Sequence, residues 1–158
     1  MKLPRVRIQH EDFDLAREVA QLRAGDAEVG AVAAFVGTVR DRSGDAAQAD
    51  TTGMELEHYP GMTERAIEAM IDQAQRRFSI RGARVIHRVG ALRPCDQIVM
   101  VAVTSSHRGD AFAACEFLMD YLKTQAPFWK KEHTPDGARW VDARAADDLD
   151  RRRQRQAR

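Results

Sequence analysis

A chain of 158 residues, 44% hydrophobic and 31% charged, fits one hydrophobic core with at most a small subdomain, and its apolar runs fall short of the ~18 residues that a membrane span requires. Its net charge of +1 argues against gripping nucleic acid by bulk phosphate neutralisation, which needs a strongly basic face. Two cysteines, Cys95 and Cys115, are too few for a disulfide framework and form no zinc-spaced Cys/His pattern, so no metal is expected.

The N-terminal MKLPRVRIQHEDF has no apolar stretch of the secretory kind, which makes the cytoplasm the default. VRIQ, residues 6–9, alternates as a short strand. Asp12 or Asp14 can cap a helix running to Arg23, with Leu15, Val19 and Leu22 on one face and Gly25 beyond its end. EVGAVAAFVGTV, residues 28–39, reads as a long strand whose glycines predict bulges or close backbone approach. Residues 42–52 read as a polar loop, and MELEH returns as a strand. YPGMT turns, and Thr63 is placed to cap a helix whose Ile67, Met70, Ile71, Ala74 and Phe78 form one apolar stripe. ARVIHRVG and QIVMVAVTS are two strands joined by the turn RPCD. HRGDAFAACEFLMDYLKT is a helix that Pro127 must stop, and ARWVDA is a last strand before a charged tail. Without strict βαβ alternation, the pattern predicts an α+β fold with an antiparallel or mixed sheet.

Cationic side chains carry the candidate chemistry. In SSHRGD, Ser105 or Ser106 can cap the helix, and His107 and Arg108 add positive charge to its N-terminal dipole, a combination suited to phosphate or carboxylate. The alternative is an ordinary surface ion pair. In YLKTQAPFWKKE, Lys123 falls in the last helical turn, and Pro127, Phe128 and Trp129 form a packed segment able to hold Lys130 or Lys131 partly desolvated, hence usable as acid, base or nucleophile. A Phe-Trp core plug with solvated lysines is the plainer alternative. Arg40 leaves the end of an apolar strand at VGTVRD, where a sheet delivers side chains to a rim. Cys115 has core spacing, Cys95 has no activating neighbour, His58 and His87 read as structural histidines, and the arginine-rich RRRQRQAR as a solvated tail. His107 and Lys123 are sixteen residues apart on one helix, so roughly 24 Å separates them. Either they serve separate sites, or two subunits meet end to end; the second, a homodimer with composite sites, is expected.

The motifs FVGTVRD, LEHYPGMTE, VIHRVG, VTSSHR and MDYLKTQAPFWKKE, in that order, resemble the large, catalytic subunits of molybdopterin synthase, the MoaE family, from about Val6 to about Ala143. The resemblance implies an α/β hammerhead-type core with an additional antiparallel β subdomain over residues 1–143, followed by a charged tail over residues 144–158. It implies a homodimer within a heterotetramer, each end carrying a small ubiquitin-like sulfur-carrier subunit with a thiocarboxylated Gly-Gly terminus. Sulfur passes from that terminus to cyclic pyranopterin monophosphate, making the dithiolene of molybdopterin, with no cofactor of the chain's own. By the same resemblance Lys123 and Lys130 are catalytic, and Thr38, Val39, Arg40, His107, Arg108, Lys131 and Glu132 bind substrate. Cys95 stands where the family usually has glycine, and Asp110 adds negative charge beside the His-Arg pair. A non-catalytic dimeric module that binds a protein C-terminal tail or a phosphorylated ligand is the alternative.

Overall fold

The computed structural model describes residues 3–41, 53–134 and 137–141, with side chains given up to Lys130. In chain order the elements are β1 (Val6–Gln9), α1 (Leu15–Arg23), β2 (Ala31–Thr38), β3 (Gly53–His58), α2 (Met62–Arg77), β4 (Gly82–Arg88), β5 (Gly90–Leu92), β6 (Gln97–Ser105), α3 (Arg108–Thr124), β7 (Phe128–Thr134) and β8 (Gly137–Val141). They build two four-stranded sheets, ordered β1-β4-β6-β2 and β5-β3-β7-β8. Only the β1–β4 pair is parallel in the first sheet, and the second is antiparallel throughout. The fold is thus α+β with an added antiparallel sheet, as the sequence predicts.

β6 is buried on both faces from Val99 to Ser105, which explains its unbroken apolar run. The period of two sorts its residues. Met100 and Ala102 join Ile86 and Phe13 under Leu15, Val19 and Leu22 of α1. Val99, Val101 and Val103 face the other way, into a core with Ile67, Ile71 and Ala74 of α2 and Ala111, Ala114 and Leu118 of α3. Each fully buried Ile or Leu here contributes roughly 2 kcal/mol.

The helix starts show where local rules hold and where they yield. Asp14 caps α1 by accepting from Arg17 N–H at 3.1 Å, and Gly25 follows with φ +73°. Thr63 does not cap α2. The helix begins one residue earlier, after Gly61 at φ +82°, whose N–H donates to the Glu64 carboxylate at 2.6 Å. Thr63 lies fully buried in the first turn, its Oγ1 donating to Tyr59 O at 2.9 Å.

Two strands lie outside the predicted elements. The segment between ARVIHRVG and RPCD is not a plain connection: Gly90, at φ +88°, follows β4 and opens β5, which pairs with β3 in the second sheet. Phe128–Thr134 is itself strand β7, paired with β3 and β8. The glycines of β2 behave as predicted. The register with β6 shifts between Gly37 and Thr38, and Gly30 lies against the backbone that leaves β6. The predicted loop at 42–52 and the tail at 144–158 lie outside the described residues. Among those described, no helix is long and apolar enough to cross a membrane.

A Cβ at Gly30 would stand 2.3 Å from the carbonyl oxygen of Ser106, whereas one at Gly109 would meet nothing within 4 Å. Gly30→Ala is expected to lower the unfolding free energy by about 2 kcal/mol or more. Gly109→Ala, inside a helix, is expected to raise it by roughly 0.5–1 kcal/mol. Urea unfolding followed by circular dichroism measures both.

Candidate active site

The path of α3 sets the geometry of the candidate residues. β6 ends at Ser105, the chain turns through His107, and α3 packs back over β6 and β2. Because β2 runs antiparallel to β6, pairing Ala31 with Ser105 and Thr38 with Gln97, the last turn of α3 returns to the end of the sheet where Thr38, Val39 and Arg40 emerge. β4 ends there too, since His87 pairs with Val99. Lys123 therefore shares one end of the sheet with Thr38–Arg40 and His87, while His107 and Arg108 sit at the other.

At the lysine end the two sheets meet. The Phe128 ring stacks on His87 at 3.9 Å with an interplanar angle of 18°, and His58 of β3 lies 6.5 Å from the same ring. His87 is buried, and its Nδ1 lies 2.8 Å from Arg88 O. Desolvation, reinforced by the charges of Lys123 and His58 and opposed by the bond to Arg88 O, pushes its pKa down to about 4. Lys123 is exposed, in the last turn of α3, where the helix dipole favours a cation. Lys130 is half-buried in β7, paired between Leu56 and Val141. Tyr59 meets Trp129 edge-on at 4.1 Å, and His58 Nε2 lies 3.7 Å from Glu64.

The other predicted residues are placed as follows. Arg40 and Thr38 are exposed. Val39 is a core residue whose N–H donates to Asp96 O and whose carbonyl accepts from Cys95 N–H, each at 2.8 Å. Lys131 and Glu132 are described in their backbone, which pairs with Glu55 and Met54. His107 and Arg108 are exposed at the start of α3. Neither Ser105 nor Ser106 caps that helix. The cap residue is His107, without a side-chain bond, because the Ser105 hydroxyl is spent donating to Ser79 O at 2.7 Å while accepting from His107 N–H at 3.2 Å. Within one chain the path of α3 brings Lys123 to the β2 end and leaves the His-Arg pair at the other, while Lys130 follows Phe128 by two residues on β7.

Phe128 and His87 are buried as the core plug and the structural histidine that the sequence predicts; what the sequence does not show is that they pack on each other beside the candidate residues. Their only sequence signal is an apolar-flanked histidine in VIHRVG and an aromatic after Pro127, and the contact joins different sheets. Cys115 is a buried thiol pushed up to about 11 by desolvation, which keeps it protonated and inert. Cys95 is exposed, at φ +77°. Among the described residues no group of three or more His, Cys, Asp or Glu is arranged to hold a metal ion. A cleft of about 440 Å³ between β1 and α1, lined by Arg7, Asp12, Phe13, Arg17, Glu18 and Arg84, contains none of the candidate residues.

A family model described as MoaE protein matches residues 8–125. The chain belongs to the MoaE family. It is 60% identical over 146 residues to the molybdopterin synthase catalytic subunit of Ralstonia nicotianae, covering 92% of this chain and 81% of that one. Among solved structures it is similar to a molybdopterin biosynthesis MoaE protein from Burkholderia ambifaria, at 59% identity and a TM-score of 0.79, with 96% and 98% of the two chains covered. The molybdopterin synthase of Staphylococcus aureus keeps a TM-score of 0.78 at 28% identity, with 89% and 99% covered. Membership agrees with the five motifs and the two-sheet fold.

His87 gives stability a defined pH dependence. An unfolded chain takes up a proton at this histidine near its ordinary 6.5, but the folded one only near 4. The contribution is therefore present above pH 6.5 and lost as pH falls toward 4, by about 3 kcal/mol in all. Urea unfolding at a series of pH values is expected to show this loss, and His87→Gln to flatten it.

Proposed function

We infer that this chain does the work for which its curated relatives are named, as the catalytic, sulfur-transferring subunit of a molybdopterin synthase. A catalytic subunit implies a companion. We assign that part to a small ubiquitin-like carrier whose C-terminal thiocarboxylate brings the sulfur, with cyclic pyranopterin monophosphate as acceptor. Both reactants are anions, and they repel each other until fixed positive charge in a water-poor site offsets the repulsion.

What supports this reading is that Lys123 and the Thr38–Arg40 segment share one end of the sheet, where the His87–Phe128 stack brings in β7, the strand of Lys130. Lys130, half-buried on β7, would steady the thiocarboxylate and the oxyanion that develops on its carbonyl. Lys123 would serve as acid/base or transient acyl acceptor. In each transfer a carbon–sulfur bond forms to the pterin while a carbon–oxygen bond at the same carbon breaks, its oxygen leaving as water or staying on the phosphate, and the carrier's acyl–sulfur bond breaks. The acyl carbon passes to water, directly or through the Lys123 amine, so one water is consumed and a carboxylate terminus remains. Arg40 would bind the pterin phosphate, with Thr38, Val39, Lys131 and Glu132 lining the pocket.

His107 and Arg108 would complete the phosphate site from a second copy of the chain. A straight α3 of 17 residues keeps its ends about 24 Å apart, which supports sharing between protomers in a homodimer that binds one carrier at each end. No step needs a catalytic thiol.

Lys123→Ala is expected to lower dithiolene formation from precursor and thiocarboxylated carrier by at least about a hundredfold, while carrier binding measured by calorimetry is retained. Loss of binding together with intact turnover per complex would instead mark a purely binding role. Mixing Lys123→Ala with Arg108→Ala subunits is expected to restore activity above either parent, since some mixed dimers hold one intact composite site. No recovery would overturn the sharing.

A further inference from the structure

His87 is remote from the lysines in sequence, yet the charge of Lys123 reaches its ring, and the residue stacked on it opens the strand that carries Lys130. A carbonyl oxygen only accepts, so the 2.8 Å contact with Arg88 O requires the proton to sit on Nδ1. Nε2 is then left with its lone pair, able to accept a hydrogen bond. The ring's other constraint is the face-to-face stack on Phe128 at 3.9 Å. Phe128 opens β7, and Lys130 follows two residues later on the same face of the strand. The charged groups that act on the ring are Lys123 from α3 and His58 from β3, with Glu64 of α2 beside His58, while Arg88 of β4 takes part through its carbonyl and Lys130 stands two residues beyond Phe128 on β7.

We propose that His87 is a positioning residue for both lysines: its uncharged Nε2 offers an acceptor to the Lys123 ammonium, and its ring seats Phe128 and with it the strand that carries Lys130. A neutral imidazole suits this place because a protonated one would repel Lys123. Burial keeps the ring neutral, as its pKa of about 4 reflects. The proposal rests on the reading that Lys123 takes part in sulfur transfer, and it adds the means by which the lysine is held.

The test is nitrogen-detected NMR on the full chain with labelled histidine. At neutral pH the His87 ring is expected to carry its proton on Nδ1, the tautomer less favoured by free histidine. A ring protonated on Nε2 would overturn the proposal, and this measurement on the wild-type chain needs no variant to fold. Lys123→Met is expected to raise the pH at which His87 protonates by about half a unit or more, and His58→Gln to do so separately. A His87 midpoint indifferent to Lys123→Met counts against the proposal. In turnover, His87→Phe keeps a ring for the stack but no acceptor, so kcat is expected to fall about tenfold with KM for the precursor unchanged. His87→Gln, which restores an acceptor, is expected to recover part of that loss, and wild-type kcat in both variants would sink the idea. Full activity in Lys123→Ala would remove the catalytic role of the lysine while the tautomer and the coupled titration still stood, so the two failures are distinguishable.

Discussion

The contact between Phe128 and His87 joins two sheets that share no strand. β4 brings His87 from the first sheet, and β7 brings Phe128 from the second, so the stacked pair fixes how one sheet end lies against the other. What makes the contact useful is the charge it withholds. A histidine in water would be partly protonated near neutrality, but burial makes the charged form expensive, and the neighbouring Lys123 and His58 add to that cost. The single bond to Arg88 O opposes the shift without reversing it. The result is a flat, neutral, apolar-faced support beneath a cluster of cations, where a charged support would disperse them.

α3 imposes the complementary constraint. Its dipole favours a cation at the Lys123 end and an anion at the His107 end, and the missing side-chain cap at His107 leaves backbone N–H groups there for a ligand or for water. One helix therefore presents a lysine suited to reaction chemistry and, about 24 Å away, a His-Arg pair suited to phosphate. A single small substrate cannot bridge that distance. In the proposed dimer the rod becomes an advantage, because it delivers rigidly placed groups to two sites at once and ties each site's completeness to assembly.

How much of this is legible in the sequence depends on the range of the interaction involved. α1 follows from its Asp14 cap and apolar stripe, α2 and α3 from the spacing of their apolar residues, and the central strand β6 from its unbroken apolar run. Thr63 illustrates the limit of local rules: its hydroxyl could cap a helix, but Gly61 adopts a positive φ that lets Glu64 satisfy the helix start instead. Ser105 fails as a cap for a similar reason, since Ser79, 26 residues away in sequence, claims its hydroxyl. β5 and β7 escape detection because each is defined by pairing with β3, and FWKKEHT shows neither clean alternation nor an apolar run. The lysines are visible as residue types in a promising segment, whereas the His87 ring that supports them is visible only once the sheets are assembled.

The cysteines bear on where the sulfur comes from. A thiol must ionise to act as a nucleophile or a sulfur carrier, and Cys115 is held in an apolar setting that pushes ionisation up to about 11. Cys95 is exposed but sits in a tight turn between Val39 and Asp96, in a left-handed conformation that costs a residue with a side chain roughly 1 kcal/mol. That strain would be absent with glycine, the residue such a turn favours. The turn's function is to fix Val39, whose backbone it grips from both sides, and thereby the direction in which Arg40 leaves β2. With one thiol inert and the other serving as a bracket for the sheet rim, sulfur imported on a partner's C-terminus is the arrangement that these side chains support. The chain's own contribution then reduces to placing positive charge where two anions must meet.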